Sequence, residues 1–178
     1  MTNTDLNDVR SSIDRSDCFS ILYVNCRSIQ KKYNNLLTTI NIISPPIPII
    51  AVSEIWTHDG NEDLFGLPGY NFVVKSRLHK SGGGVGIFLL GVYYYKLRDD
   101  LICDDVFADT VFIEIIPDNV VIECVYKPSD GDVALSTAYF DNVSSRVNSE
   151  KKTCYIYQKQ ILLIVFFSFI LANSKQTN

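Results

Sequence analysis

The sequence lacks the cysteine and histidine patterns that mark zinc sites and disulfide frameworks. It has five cysteines and two histidines, and no CxxC pair occurs among them. Because no spacing typical of zinc ligands is present either, the pattern argues against a structural zinc site. An odd, scattered set of cysteines with no secretory signal is typical of a reducing intracellular compartment.

Positive charge is also scarce. The chain has 16 lysines and arginines against 20 aspartates and glutamates, which gives a net charge of −4. A protein that only coats phosphate backbones is usually basic, so the charge balance disfavours that role. It does not bear on an enzyme that brings a cation to its substrate. With 178 residues, 47% of them hydrophobic, the chain is long and apolar enough for one domain with a sizeable core.

Long apolar runs are nearly absent. The longest, at residues 161–172, has 12 residues, whereas a spanning helix needs about 20. We therefore expect no membrane anchor, and a small membrane-associated protein is the least favoured alternative. The composition predicts three parts: a polar lead-in over residues 1–18, a domain over 19–157 and an apolar tail over 158–178.

The hydrophobic patterns predict an α/β protein. One helix is expected over residues 31–43, where apolar residues recur at helical spacing before a proline-rich stop, and another from a cap at Asp132 to Val147. Short β-rich runs predict strands, with Tyr93–Tyr95 extending one of them. The expected strands are residues 19–25, 49–53, 70–76, 85–90, 110–116, 120–126 and 153–157.

Two polar segments resemble ligand loops without matching one. Gly82, Gly83 and Gly84 precede a strand, but the lysine and serine of a P-loop do not follow them. We favour a hairpin connection over a phosphate cradle. The aspartates between residues 99 and 109 lack the spacing of a calcium loop and predict a solvated loop.

The stretch over residues 22–56 holds the main candidate site. It reads as strand, helix, strand, and the two strands end on Asn25 and Glu54. Parallel strands joined by a helix lie adjacent or nearly so, and ligands bind where their carboxyl ends meet. An amide and a carboxylate at one edge could hold a divalent metal and a phosphate. Alternatively, these residues are polar only because loops are hydrated.

Five segments stand out in order along the chain. They are VNCRSI at 24–29, IIAVSEIW at 49–56, LPGY at 67–70, SRLHKSGGGVGIF at 76–88 and ECVYKPS at 123–129. Together they resemble the endonuclease/exonuclease/phosphatase superfamily, and within it the apurinic-endonuclease-like domain of non-LTR (LINE-type) retrotransposons. The first two contain the strands that end near Asn25 and Glu54, and the last resembles the family's Tyr-Arg-Pro-Pro turn.

The resemblance implies a four-layered α/β sandwich, two packed sheets flanked by helices, that hydrolyses DNA phosphodiesters with Mg²⁺ in the nucleus. Asn25 would orient the phosphate, Glu54 would bind the metal and Tyr126 would contact the scissile phosphate. Arg77 and Lys80 are candidate contacts to the DNA backbone, or simply residues of a solvated loop. Mg²⁺ prefers oxygen ligands and neutralises charge that develops on a phosphate.

The family's later motifs are missing. After residues 153–156 the family has Gly-Asp-Phe-Asn, and later Ser-Asp-His, but no aspartate follows Asp141 in this chain. We therefore expect a sandwich that is incomplete at its C-terminus, from a truncated or frame-shifted copy with little activity. The alternative is a non-catalytic remnant that binds DNA or a partner weakly. The apolar tail could fold back as a substitute strand or helix.

Overall fold

The structure is a computed structural model that describes residues 18–57, 62–76, 82–102, 108–127, 133–158 and 167–170. Its helices are α1 (Ile29–Ile42) and α2 (Val133–Ser149). Its strands are β1 (Cys18–Asn25), β2 (Ile49–Ser53), β3 (Tyr70–Lys75), β4 (Val85–Leu90), β5 (Tyr95–Leu97), β6 (Asp109–Ile115), β7 (Val120–Tyr126), β8 (Thr153–Gln158) and β9 (Phe167–Ile170).

The strands form two mixed sheets. The first sheet has the order β3-β4-β2-β1-β9 and the second has the order β5-β6-β7-β8. β1 pairs with β2 in parallel, as does β7 with β8, while every other described pair is antiparallel. The parallel β1–β2 pair is the arrangement predicted from strand, helix, strand, and it brings the carboxyl ends of both strands to one edge.

The sheets and helices stack in four layers. The inner faces of the two sheets bury a shared apolar core that includes Ile49, Ile87 and Ile122. Helix α1 covers the outer face of the first sheet, and helix α2 covers that of the second. β2 and β4 are buried at every position, which explains why their sequences are continuous apolar runs rather than alternating ones. The predicted four-layered α/β sandwich is confirmed.

Helix α1 follows its sequence pattern closely. Its buried residues Ile29, Leu36 and Ile40 lie on one face, against the first sheet. It ends directly before Ile43-Ser44-Pro45-Pro46, where the prolines can neither donate to the preceding turn nor fit a continued helix. The structure therefore confirms the predicted helix, which begins two residues earlier and ends one residue earlier than expected.

One strand prediction is wrong in part. Tyr93 and Tyr94 do not extend a strand, because β4 ends at Leu90 and a turn follows in which the Tyr93 N–H donates to the Leu90 carbonyl. Tyr95 starts β5, which pairs with β6 in the second sheet. The aromatic run thus marks the point where the chain passes from one sheet to the other, which a propensity for strand cannot reveal.

The division of the chain into lead-in, domain and tail stays a prediction. β8 ends at Gln158, one residue beyond the predicted domain. Phe167–Ile170, within the predicted tail, pairs antiparallel with β1 at the edge of the first sheet. No helix in the described part of the chain is both long enough and apolar enough to cross a membrane.

Candidate functional site

Asn25 and Glu54 meet at the edge where β1 and β2 end. Asn25 pairs with Ser53 in the parallel register, so Glu54 lies one residue beyond it. The Asn25 Nδ2 group donates to Glu54 Oε1 at 3.0 Å, and Asn25 Oδ1 accepts from the Arg27 N–H at 3.3 Å. Glu54 is buried, with 6% of its surface exposed. The amide therefore orients a carboxylate that is largely withdrawn from solvent.

The backbone on either side of this pair is unusual. Arg27, Ser28, Glu54 and Trp56 all have positive φ angles, between 44° and 91°, a region that residues with side chains rarely occupy. Hydrogen bonds hold the two segments together, since the Ser28 N–H donates to the Glu54 carbonyl at 2.8 Å and the Ile29 N–H to the Ile55 carbonyl at 2.9 Å. The start of helix α1 is thereby fixed against the segment that carries Glu54. Such conformations cluster at functional sites, where the surrounding structure maintains them.

The glycine segment lies against the same edge. The Gly83 carbonyl accepts from the Trp56 N–H at 3.1 Å, and the Gly84 carbonyl accepts from the Ile55 N–H at 3.4 Å. Gly82, Gly83 and Gly84 have φ angles of 83°, 78° and 79°. β3 precedes the glycine segment and β4 follows it, and these two strands pair antiparallel, which confirms the predicted hairpin. The segment's carbonyls support the chain beyond Glu54.

Asp109 belongs to this edge, although the sequence suggested a solvated loop. It starts β6, is buried, and its Oδ2 accepts from the Gly84 N–H at 2.8 Å. The prediction of a solvated acidic loop is therefore wrong for Asp109. The only sequence signal was its place directly before the apolar run that forms β6. Its bond links the second sheet to the first at the candidate site.

Tyr126 lies at the same edge of the second sheet. It is the last residue of β7, it pairs with Asp109, and its ring packs partly buried against the core between the sheets. Because Asp109 in turn bonds Gly84, Tyr126 is joined through three described contacts to the segment after Glu54. Its predicted role at a phosphate stays a prediction, as do those of Asn25 and Glu54. Arg77 and Lys80 lie outside the described residues.

Neighbouring side chains are held in their neutral forms. Burial, aided by the negative charge of Glu54, raises the pKa of the Cys26 thiol to about 12. Burial likewise raises the pKa of Tyr23, whose hydroxyl bonds Ser53 Oγ at 2.6 Å. A thiol reacts and binds metals as the thiolate, so Cys26 serves here as a core residue.

The residues fit a hard divalent cation such as Mg²⁺. No group of three or more histidine, cysteine, aspartate or glutamate side chains that could hold a metal occurs among the described residues. Mg²⁺ does not need one, because it keeps several waters and binds through one or two carboxylates together with substrate phosphates. Glu54 supplies such a carboxylate, and Asn25 fixes its orientation. The edge is thus suited to a metal that arrives with or beside a phosphate.

No protein-family model matches the chain, and no curated protein matches it. Solved structures do resemble its fold. The 3′-5′ exonuclease NExo from Neisseria meningitidis aligns with a TM-score of 0.53 at 15% identity, over 74% of this chain and 52% of that one. The Neisseria 3′ phosphatase NExo bound to a product DNA hairpin aligns with a TM-score of 0.53 at 14% identity, over 75% and 52%.

The catalytic domain of human Nocturnin, solved with a bound sulfate anion, aligns with a TM-score of 0.55 at 13% identity, over 82% of this chain and 64% of that domain. This chain thus spans about half the length of the Neisseria structures. At these identities the likeness concerns the fold alone. The chain has the α/β sandwich fold of the endonuclease/exonuclease/phosphatase nucleases and phosphatases.

Proposed function

We propose that this chain is the metal- and phosphate-binding part of a Mg²⁺-dependent DNA endonuclease domain of a non-LTR retrotransposon. The observation that carries the proposal is the Asn25–Glu54 hydrogen bond of 3.0 Å at the shared end of two parallel strands. An amide and an oriented carboxylate at such an edge suit a phosphodiester and its cation. One of the structures with a similar fold was solved with a bound product DNA hairpin, which supports DNA as the ligand class.

Each side chain has a distinct task in this proposal. Glu54 would hold Mg²⁺, and Asn25 would keep the carboxylate oriented while its own amide faces the phosphate. Tyr126 would donate its hydroxyl to a phosphate oxygen from the second sheet. Bound Mg²⁺ would supply charge neutralisation at the phosphate. An intracellular, nuclear location follows from the DNA substrate and belongs to the proposal.

We further propose that this chain hydrolyses DNA slowly or not at all. The residues after β8 lack the Gly-Asp-Phe-Asn motif, whose aspartate and asparagine the resemblance assigns to positioning the attacking water, and no aspartate follows Asp141. Loss of general-base catalysis lowers a rate by about 10²–10⁴-fold. Binding of metal and phosphate does not require that group and should persist.

Two assays on the intact protein test these statements. Anisotropy of a fluorescent DNA oligonucleotide, measured with Mg²⁺ and again with EDTA, should show Mg²⁺-dependent binding. Glu54→Gln should abolish the dependence on Mg²⁺ while the circular dichroism spectrum stays unchanged. Equal binding with and without Mg²⁺ in both proteins would contradict the proposed metal site.

Nicking of supercoiled plasmid separates the enzyme from the alternative of a non-catalytic remnant. We expect little or no nicking above a Glu54→Ala control. Robust nicking that disappears in Glu54→Ala would show that the chain is an active endonuclease and would exclude the remnant. Binding without nicking supports the form of the proposal given above.

A further inference from the structure

Trp56 combines exposure with an unusual backbone, two residues after Glu54. It is 43% exposed, whereas Glu54, Ile55 and Thr57 around it are each 7% exposed or less. It is the only tryptophan of the chain. A large aromatic ring that stays in solvent beside a buried polar pair is a candidate contact surface.

The position of the ring is fixed by its backbone. Trp56 has a φ of 53°, and its N–H donates to the Gly83 carbonyl at 3.1 Å. A bulky residue in this region is an outlier whose cost other contacts must offset. Neighbouring contacts also define the indole position, because a Cβ at Gly82 would lie 3.5 Å from Trp56 Nε1. One edge of the ring therefore packs beside Gly82 while other ring atoms stay accessible.

The distance to the candidate phosphate site is short. Successive Cα atoms lie 3.8 Å apart, so the Trp56 Cα is at most about 7.6 Å from that of Glu54. A nucleotide whose phosphate sits at Asn25 and Glu54 would have its sugar or base within reach of the indole. Stacking also suits a chain with a net charge of −4, because it adds affinity without cations.

We propose that Trp56 is a base-stacking contact, on which a base of single-stranded or unpaired DNA next to the bound phosphate rests. This inference rests on the proposed function, since it takes the phosphodiester site as given. It adds a ligand class, a nucleotide with an exposed base, and a residue that recognises it. Stacking tolerates any base, so the contact selects for unpaired structure rather than for sequence.

The single tryptophan makes the contact directly measurable. The intact protein is titrated with a labelled single-stranded oligonucleotide in Mg²⁺, and with an abasic oligonucleotide of the same length and charge. Label anisotropy reports binding, and tryptophan emission reports stacking. We expect emission to be quenched by the oligonucleotide with bases and to stay unchanged with the abasic one.

Substitutions provide a second readout. Trp56→Ala should weaken binding of the base-containing oligonucleotide by about 5- to 150-fold and leave the affinity for the abasic one unchanged. Trp56→Phe should restore most of the affinity, and its circular dichroism spectrum serves as the folding control. Tyr94→Ala removes a ring that is 64% exposed beside β5, and it should bind like the parent protein.

The outcomes separate this inference from the proposed function. If the parent protein binds both oligonucleotides in a Glu54- and Mg²⁺-dependent manner but Trp56→Ala binds equally well, the stacking contact is refuted and the phosphodiester site stands. Equal quenching by both oligonucleotides likewise refutes stacking. If neither oligonucleotide binds, the proposed function fails and this inference fails with it. A protein partner on Trp56 would give that last result.

Discussion

The two ends of strand β6 hold carboxylates in contrasting surroundings. At the candidate site, Asp109 accepts from the backbone N–H of Gly84, and nearby Glu54 accepts from the Asn25 amide. At the other end, Glu114 accepts from Arg98 Nη1 at 2.7 Å and from Lys152 Nζ at 2.9 Å. The donors described at the first end are neutral amide groups, whereas those at the second end are cations. Cations neutralise a buried carboxylate, so the second end ties separate segments of the chain together through charge as well as hydrogen bonding.

The far end, which we call the Arg98 cluster, joins distant parts of the chain. It comprises Arg98, Asp100, Glu114, Glu150 and Lys152. Arg98 is only 5% exposed and binds carboxylates before β6, within β6 and after helix α2. The hydrogen bond to Asp100 is the largest of several causes that raise the pKa of Arg98. These contacts connect the edge strand of the second sheet to the helix that covers it.

Removing the central cation should have the largest effect. Arg98→Ala leaves the buried Glu114 with fewer partners, and breaking a buried ion pair costs about 3–5 kcal/mol. We expect the free energy of unfolding, measured by urea denaturation, to fall by that amount. Lys32→Ala, at an exposed position of helix α1, should change it by less than about 0.5 kcal/mol. Similar values for the two variants would show that the cluster contributes no more than a surface charge.

Glu123 should make stability depend on pH in the neutral range. Burial raises the pKa of this carboxyl to about 7, while the hydrogen bond from the Tyr139 hydroxyl lowers it in part. The folded protein binds this proton more tightly than the unfolded chain does, so stability is complete below the usual pKa of 4.5 and is lost as the pH rises through about 7. The loss amounts to about 3 kcal/mol.

Urea denaturation of the parent protein and Glu123→Gln between pH 4.5 and pH 8 checks this. The variant should lose most of the decline with rising pH. In the Arg98 cluster stability should change with pH in the opposite direction, because Arg98 and Lys152 lower the pKa of Glu150 to about 2. That contribution is present above about pH 4.5 and is lost on acidification towards pH 2. An unchanged neutral slope in Glu123→Gln would assign the decline to another group.

Gly84→Ala tests how tightly the chain is packed at the candidate site. Gly84 has a φ of 79°, and an added Cβ would lie 2.8 Å from Ile55 Cγ1. Strain and displacement should together cost about 1–3 kcal/mol. Gly66→Ala is the matched control, since no atom lies within 4 Å of a Cβ at that position. Thermal unfolding should show a lower midpoint temperature for Gly84→Ala but not for Gly66→Ala. Equal midpoints would mean that the glycine segment shifts to accommodate the added methyl group at little cost.

The same Glu→Gln substitution near each end of β6 should give the smallest changes in stability and the most direct comparison of the two ends. Glu54→Gln keeps an oxygen for the Asn25 amide and removes a buried charge, so stability should stay within about 1 kcal/mol or increase. Glu114→Gln deprives Arg98 and Lys152 of a charged partner and should be the more destabilising of the two. Urea denaturation curves of the two variants, recorded under the same conditions, measure this difference in the free energy of unfolding. A larger loss in Glu54→Gln would mean that Glu54 acts mainly as a structural residue.

Much of the fold could be predicted from local patterns. The buried runs that form β2 and β4 and the helical spacing of Leu36 and Ile40 are properties of neighbouring residues. The structure contains these elements as predicted, because the surface that an element buries sets the spacing of its apolar residues in the sequence. The adjacency of Asn25 and Glu54 also followed, since a parallel strand pair leaves only one edge where both can end.

Other features needed contacts between residues far apart in the chain. Asp109 read as part of an acidic loop, because nothing near it in sequence reveals that the Gly84 N–H lies opposite. The Arg98 cluster joins residues separated by up to 52 positions, and Tyr93 gave no sign that the chain changes sheets there. Long-range pairing decides which polar groups are buried together, and it depends on the whole packed structure.

Local patterns along the chain were therefore enough to predict most of the strands and the two residues at the centre of the candidate site, while the four layers were expected only from the resemblance to a known family. Hydrophobic periodicity is local and robust, and strand order fixes where strand ends meet. The support of that site depends instead on long-range packing, which sets the left-handed backbone at Glu54 and Trp56, the glycine segment and the carboxylate of Asp109. Those features occur where the two sheets meet the first turn of helix α1. Contacts between segments that are far apart in the chain do not produce a periodic pattern in the sequence.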